Sequence, residues 1–280
     1  MLRHDISDRV WFFDLEWVPD AEGAKRLYGL GSDVSELDAF EVLWKKGGAT
    51  EDVQRPFLKY YVSRIVSIAF LQRRVVYSGP DKQISFSLHA LPRDPHEAAA
   101  TDERHVLEEF LHYLGKMKPQ LVGFNSSESD VQVLIQRAMI NEVSAPEFCA
   151  RPANRWDTND YFQRWDNEWH LDLLKKFSNG KMAPKLDDFA KLCGFPGKLD
   201  TDGAQVPDLW LSGDLVKIVE YNQIDTLNTY LLWLRFVYFC GKIGEEEYAE
   251  DIEAFRNFLE TESQKPCKAF LSEFIDRWPA

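Results

Sequence analysis

The sequence predicts an α/β fold with a mixed central β-sheet flanked by helices. Three observations lead there. β-Branched and aromatic runs crowd the first 90 residues, helical spacing of apolar residues dominates from residue 103 onward, and one short apolar run, "QLVGFN" at 120–125, sits between two helical segments. Strands that come first, then a strand alternating with helices, form the pattern of a sheet with antiparallel and parallel parts.

The elements follow in order. Residues 10–16, within "RVWFFDLEW", read as a strand of bulky apolar side chains. Residues 20–60 are partly helical, and "AEGAKRLYGLG" ends at a glycine pair suited to stopping a helix. "YVSRIVSIAFLQ" and "RRVVYSG" read as an antiparallel hairpin around a tight turn, with a third short strand in "QISFSL". Val106, Leu107, Phe110, Leu111 and Leu114 recur at helical spacing across 103–115. "QLVGFN" is a buried strand, followed by a polar loop and the helical "DVQVLIQRAMIN". Residues 186–193 make a short helix, and "GDLVKIVEYNQIDTLNTYLLWLRFVYF" a long one. Amphipathic helices over 244–260 and 265–277 complete the chain.

With 280 residues and no linker rich in Pro, Gly or Ser, the expectation is one domain over 1–280, with a helical C-terminal extension from about 241. A hydrophobic fraction of 45% places the chain among folded globular proteins. The polar start "MLRHDISDRV" lacks a signal-peptide core, and no run of about 18 apolar residues is present. A soluble cytoplasmic protein without a membrane partner is therefore expected. The four cysteines form no C-x-x-C pair, so neither a zinc site nor a redox dithiol is suggested. A net charge of −13 argues against wrapping a nucleic-acid duplex, which rests on many Lys and Arg contacts to phosphate. It leaves room for an enzyme that meets phosphate through bound cations.

Asp14 and Glu16 interrupt the first strand, and a period of two puts both carboxylates on one face. Like charges beside a core are costly unless something compensates them. Asp130 begins a helix after the loop of "GFNSSESD". Tyr221 and Asp225 lie four apart in "YNQID", neighbours on one helix face, and the apolar stripe that follows turns that face inward. Taken singly, each has an ordinary explanation: Asp130 as a first-turn acid favoured by the helix dipole, D-x-E as a strand end. The ordered set points to a cation.

That set, D-x-E on the first strand, Asp at a strand-to-helix junction and Y-x-x-x-D on a late helix, resembles the DEDDy group of 3′–5′ exonucleases. Its detail is similar to the bacterial branch related to the proofreading domain of family B DNA polymerases. "FFDLEWVPD", "GAKRLYGLG", "RIVSIAF", "LVGFNSSESDVQVL", "LDDFAKLCGFPGKLDTDGAQV" and "YNQIDTLNTYLLWLR" carry the resemblance in order, from residue 10 to about 238. Residues 126–129 depart from it, reading Ser-Ser-Glu-Ser in place of a Gly-containing turn and an aromatic. Asn222 stands where Cys is common, a difference expected to matter little.

The resemblance implies a ribonuclease-H-like fold. It also implies a metal-dependent exonuclease releasing nucleotides from the 3′ end of single-stranded nucleic acid, DNA favoured. Asp14, Glu16, Asp130 and Asp225 would hold two divalent cations, Mg²⁺ or Mn²⁺, and Tyr221 would orient the attacking water. Candidate substrate contacts are Asn125, Phe124, Trp17, Lys198 and His170, and Asp172 matches the resemblance without an assigned role. Phe124 equally suits the strand core, Lys198 an ordinary solvated lysine and His170 a core histidine. Two other readings stay open: a non-catalytic nuclease-fold module that binds nucleic acid or protein, and a hydrolase of short oligoribonucleotides.

Overall fold

The structure, a computed structural model, describes every residue except 1, 3–4, 79–80, 154–159, 164–166, 179–181 and 280. Its strands are β1 (Arg9–Pro19), β2 (Ser63–Ser78), β3 (Asp81–Leu91), β4 (Gln120–Gly123) and β5 (His170–Asp172). They form one sheet of order β3-β2-β1-β4-β5. β1 pairs antiparallel with β2, and β2 with β3, while β1, β4 and β5 run parallel. This is the mixed α/β sheet expected of the ribonuclease-H-like fold.

The central strand explains why both faces need cover. Val10 and Phe12 of β1 enter one core, while Trp11, Phe13 and Leu15 enter the other, as alternation requires. The second core is covered by α3 (Glu103–Met117) and α4 (Asp130–Ile140), after the small α1 (Ala21–Tyr28) and α2 (Glu36–Lys46) have packed at the strand's end. Asp20 caps α1 by accepting from the Gly23 N–H at 2.9 Å, and Gly29 ends it in the left-handed region at φ 63°. Short helices α5 (Pro146–Cys149), α6 (Leu173–Phe177), α7 (Leu186–Leu192) and α8 (Val206–Leu211) lead to the long α9 (Leu215–Phe239).

α9 is buried around most of its girth because it lies between the sheet and the tail helices, α10 (Glu245–Ser263) and α11 (Phe270–Asp276). Phe255, Leu259, Leu271, Phe274 and Trp278 of the tail share a core with Phe12, Tyr230 and Trp233. Among the described residues no helix is long and apolar enough to cross a membrane.

The expected hairpin is corrected. "RR" is no turn: β2 runs unbroken from Ser63 to Ser78 and pairs with β3, the third expected strand. Residues 79–80, between the two strands, lie outside the described residues. Arg73 stays inside the sheet because Asp251 of α10 neutralises it, with Nε to Oδ1 at 2.7 Å and both side chains buried. A charge placed at a core-facing position misleads a reading by local polarity when its partner lies 178 residues away.

Candidate active site

β1 pairs with β4 only through Val10, Trp11 and Phe12, so its next residues project beyond the carboxyl end of the parallel pair. Crevices at such strand ends are where open α/β sheets collect ligands. Asp14 and Glu16 stand on this overhang, on the face that α9 crosses, and α9 brings Asp225 to them. One carboxylate oxygen from each of the three lies within 4.8 Å of the others. Tyr221 lies one turn earlier on α9, on the same side of the helix as Asp225. Lys198 reaches Asp225 Oδ2 at 3.4 Å, donates to the Tyr221 hydroxyl, and lies over the Tyr221 ring at 4.7 Å.

Asp130 is placed beside this group rather than within it. Its Oδ1 accepts the Leu15 N–H at 3.1 Å, a donor left free where β1 outruns β4, and its Oδ2 accepts from Ser129 Oγ at 2.6 Å. Each carboxylate oxygen has a second lone pair, so neither contact closes the group to a cation. α4 is itself anchored: Arg137 donates to Asp20 Oδ2 at 2.7 Å and to Glu103 Oε1 at 2.8 Å.

Burial pushes every carboxyl in the group up. For Asp14 the charges of Asp130, Glu16 and Asp225 add to burial, against the hydrogen bond from Asn222. Glu16 is raised by burial and by Asp225, with Lys198 opposing. Asp225 is raised by burial, with Lys198 and Tyr221 opposing. Asp130 rises to about 6, again by burial, against the hydrogen bonds it accepts. The Tyr221 hydroxyl is driven far above its usual range by burial and then by Glu16, Asp225 and Asp14. Burial works to lower Lys198, but Asp225 and Glu16 outweigh it and hold the ammonium charged.

Lys198 offsets charge at Glu16 and Asp225, while no cation among the described residues is a leading influence on Asp14 or Asp130, so the four acids are short of positive charge. Asp225 Oδ1 is buried and has no hydrogen-bond partner among the described residues. Hard divalent cations seek carboxylate oxygens of this kind, so the donor set fits Mg²⁺ or Mn²⁺.

The other candidates are placed differently. Asn125 is exposed, with a left-handed φ of 62°, and its N–H donates to Asp172 Oδ1 at 3.0 Å. Phe124 is half-buried and meets Phe177 edge-on, with ring centroids 6.3 Å apart. Trp17 is half-buried and meets Tyr60 edge-on at 6.4 Å. His170 is buried beneath the 124–129 loop, 3.0 Å from Ser126 Oγ, and burial lowers its pKa to about 4, which keeps it neutral. Lys198 is set by a left-handed Gly197, φ 72°, whose N–H donates to Asn228 Oδ1 at 3.1 Å and whose carbonyl accepts from Asn228 Nδ2 at 2.9 Å.

Two positioning residues escaped the sequence reading. Asn222, expected to matter little, donates to Asp14 Oδ2 at 2.7 Å while accepting from Ser67 Oγ at 2.9 Å. It ties the strand carboxylate to α9 and β2 at once, and its place beside Tyr221 was the available signal. Asp172 caps α6 and accepts from the N–H groups of Asn125 and Ser127, so the Ser-Ser-Glu-Ser loop is held by an acid on β5. No local pattern marks a contact across 45 residues.

Residues 55–278 match the model of a family described as "Predicted 3'-5' exonuclease related to the exonuclease domain of PolB". The matched stretch holds Asp130, Lys198, Tyr221 and Asp225, and begins after Asp14 and Glu16. Among solved structures, the family B DNA polymerase from the hyperthermophilic archaeon Pyrobaculum calidifontis is similar over 94% of this chain, at 16% identity and a TM-score of 0.43. The chain spans 27% of that polymerase's length. No curated protein matches the sequence.

Proposed function

The chain belongs to the family of predicted 3′–5′ exonucleases related to the exonuclease domain of PolB, and from that premise we propose that it hydrolyses single-stranded nucleic acid, DNA before RNA, from the 3′ end. The observation that carries the reading is the convergence of Asp14, Glu16 and Asp225, one oxygen of each within 4.8 Å of the others, together with a buried Asp225 Oδ1 that has no hydrogen-bond partner among the described residues. The preference for DNA rests on the relation to a DNA polymerase's exonuclease domain alone.

Asp14, Glu16 and Asp225 would hold one divalent cation, Mg²⁺ or Mn²⁺, and Asp130 would share a second with Asp14. Such ions supply an activated water and neutralise charge on the phosphate and on the departing 3′ oxygen. The chain's own residues do the rest. Tyr221 keeps its proton at neutral pH, since burial and the carboxylates push it up. It therefore orients the attacking water by hydrogen bonding and does not serve as the base. Lys198, charged and adjacent to Tyr221, faces the scissile phosphate and offsets its negative charge. Asn222 fixes the rotamer of Asp14, and Asp130 pins the β1 overhang through the Leu15 N–H. Attack at phosphorus breaks the P–O3′ bond and releases a nucleoside 5′-monophosphate.

The test uses 5′-labelled single-stranded DNA and RNA with Mg²⁺, Mn²⁺ or EDTA, beside an Asp14→Ala/Glu16→Ala control. A ladder shortening from the 3′ end, lost in EDTA and in the control, is the expected result. Intact substrate in every lane, or an EDTA-resistant ladder, overturns the proposal.

A further inference from the structure

A cavity of about 440 Å³ opens beside the carboxylates, lined by Glu16, Trp17, Trp44, Phe57, Gly203 and Ala204 among others. Its two kinds of lining differ. Trp17 and Phe57 belong to the lining, and Tyr60, which does not, braces both: Phe57 meets it at 90° with centroids 5.6 Å apart, and Trp17 at 6.4 Å. Gly203 and Ala204 contribute almost no side chain. A Cβ built on Gly203 would stand 3.4 Å from the Tyr221 hydroxyl, which puts the small-residue side against the catalytic machinery.

The rings are held in place by more than contact. The Tyr60 hydroxyl donates to the Glu128 carbonyl at 2.6 Å, which fastens this segment to the loop leading into Asp130. Arg55 lies over Trp44 at 4.8 Å and is locked by paired hydrogen bonds to Asp208, 2.7 and 2.8 Å. Yet Phe57 remains 70% exposed. Solvent-facing phenylalanine on a braced aromatic wall, next to a gap of this size, is a surface prepared for a flat apolar partner. Unpaired nucleobases are the flat partners that a phosphodiester at the carboxylates brings with it.

We infer that Trp17 and Phe57, braced by Tyr60, form a stacking slot for the base of one of the two nucleotides flanking the scissile phosphate. This rests on the exonuclease reading for its choice of ligand. The slot admits a base only when it is unpaired, so the single-strand requirement resides in this aromatic wall rather than at the carboxylates.

The probe is a 5′-fluorescein single-stranded DNA carrying 2-aminopurine, or an abasic unit, at the terminal or penultimate 3′ position. Binding to the full chain is measured in EDTA by anisotropy. Because one aromatic–base stack is worth a factor of roughly 5 to 150, Phe57→Ala should weaken binding of the intact oligonucleotide by that range. An abasic unit at one of the two positions should weaken wild-type binding comparably, and the two losses together should be no worse than either alone. Phe57→Trp should restore affinity, and quenching of 2-aminopurine at the coupled position should vanish in Phe57→Ala. Losses that multiply at both positions overturn the slot. The ladder assay separates the two proposals: a shortening ladder with multiplying losses removes the slot and leaves the exonuclease, whereas coupled losses without cleavage keep the slot and remove the exonuclease.

Discussion

Replacing Asp14 by Asn should make the metal-free protein more stable while disabling it. Asp14 faces the charges of Asp130, Glu16 and Asp225, and no cation is among its leading influences. Two unit charges at 4.8 Å, the spread of the ligand atoms, repel by about 3.5 kcal/mol at an effective dielectric constant near 20. Proton uptake already relieves part of this, since the carboxyls are raised, so removing one charge should return about 1–3 kcal/mol at pH 8. The amide oxygen of the introduced side chain still accepts from Asn222, so the hydrogen bond survives. For 280 residues an unfolding entropy of about 0.6 kcal/mol/K makes the gain about 2–5 °C in Tm. Scanning fluorimetry in EDTA and in Mn²⁺ reads both arms: D14N melts above wild type in EDTA, and its Mn²⁺-induced rise is smaller. A lower Tm in EDTA, or an undiminished response to Mn²⁺, would refute the electrostatic account of the cluster.

Three further outcomes follow from the same structure. The folded-state pKa values of Asp14, Glu16, Asp130 and Asp225 are raised, so their contribution to stability is present at low pH and lost as pH climbs through them, near 6 for Asp130. Tm in EDTA, corrected with the D14N profile, should fall from pH 5 to 8 while the Mn²⁺-induced increment grows; a flat increment contradicts this. Tyr221→Phe should lower kcat by about 10²-fold or more with KM and Tm little changed, since the role proposed for the hydroxyl is to orient water rather than substrate; steady-state kinetics decide it, and a pure KM effect counts against that role. Asp251→Ala strands Arg73 in the core and should cost about 3–5 kcal/mol, visible as a Tm drop of about 5–9 °C, whereas Arg73→Met with Asp251→Leu should recover most of it. A double variant as unstable as the single one would show that the pair is needed for more than mutual neutralisation.

What the sequence revealed divides along the range of the interactions. The D-x-E spacing, the helix that carries Tyr221 and Asp225, and the stripe from Val106 to Leu114 were legible because alternation and helical spacing are local properties. The unbroken β2 was not, since Arg73 reads as polar until Asp251 is found on a helix of the tail. Nor was β5: three residues offer too short a run for a period to register. Within the candidate site, residue types marked Asp14, Glu16 and Asp225, which the structure brings together, but not the partners that hold them. Asn222 and Asp172 act through contacts fixed only when β1, the 124–129 loop and α9 come together. Asp130 lay between these cases, foreseen as an acid at a helix start yet not as the group that satisfies Leu15 on an open strand edge.

One continuous helix has a consequence for how the molecule comes apart. α9 spans 25 residues, about 37 Å, with Tyr221 and Asp225 on its first half and Tyr230, Trp233 and Val237 buried against the core farther along. No loop or glycine separates the two stretches, so fraying that would free the acid must also extract the rings. Amide hydrogens around Asp225 should thus exchange with solvent at the pace of whole-chain opening, among the slowest in the protein, while the exposed 50–58 stretch exchanges early. Such a protein lets its carboxylate cluster ride on its most persistent cooperative unit and leaves the adaptability to the exposed segment beside it.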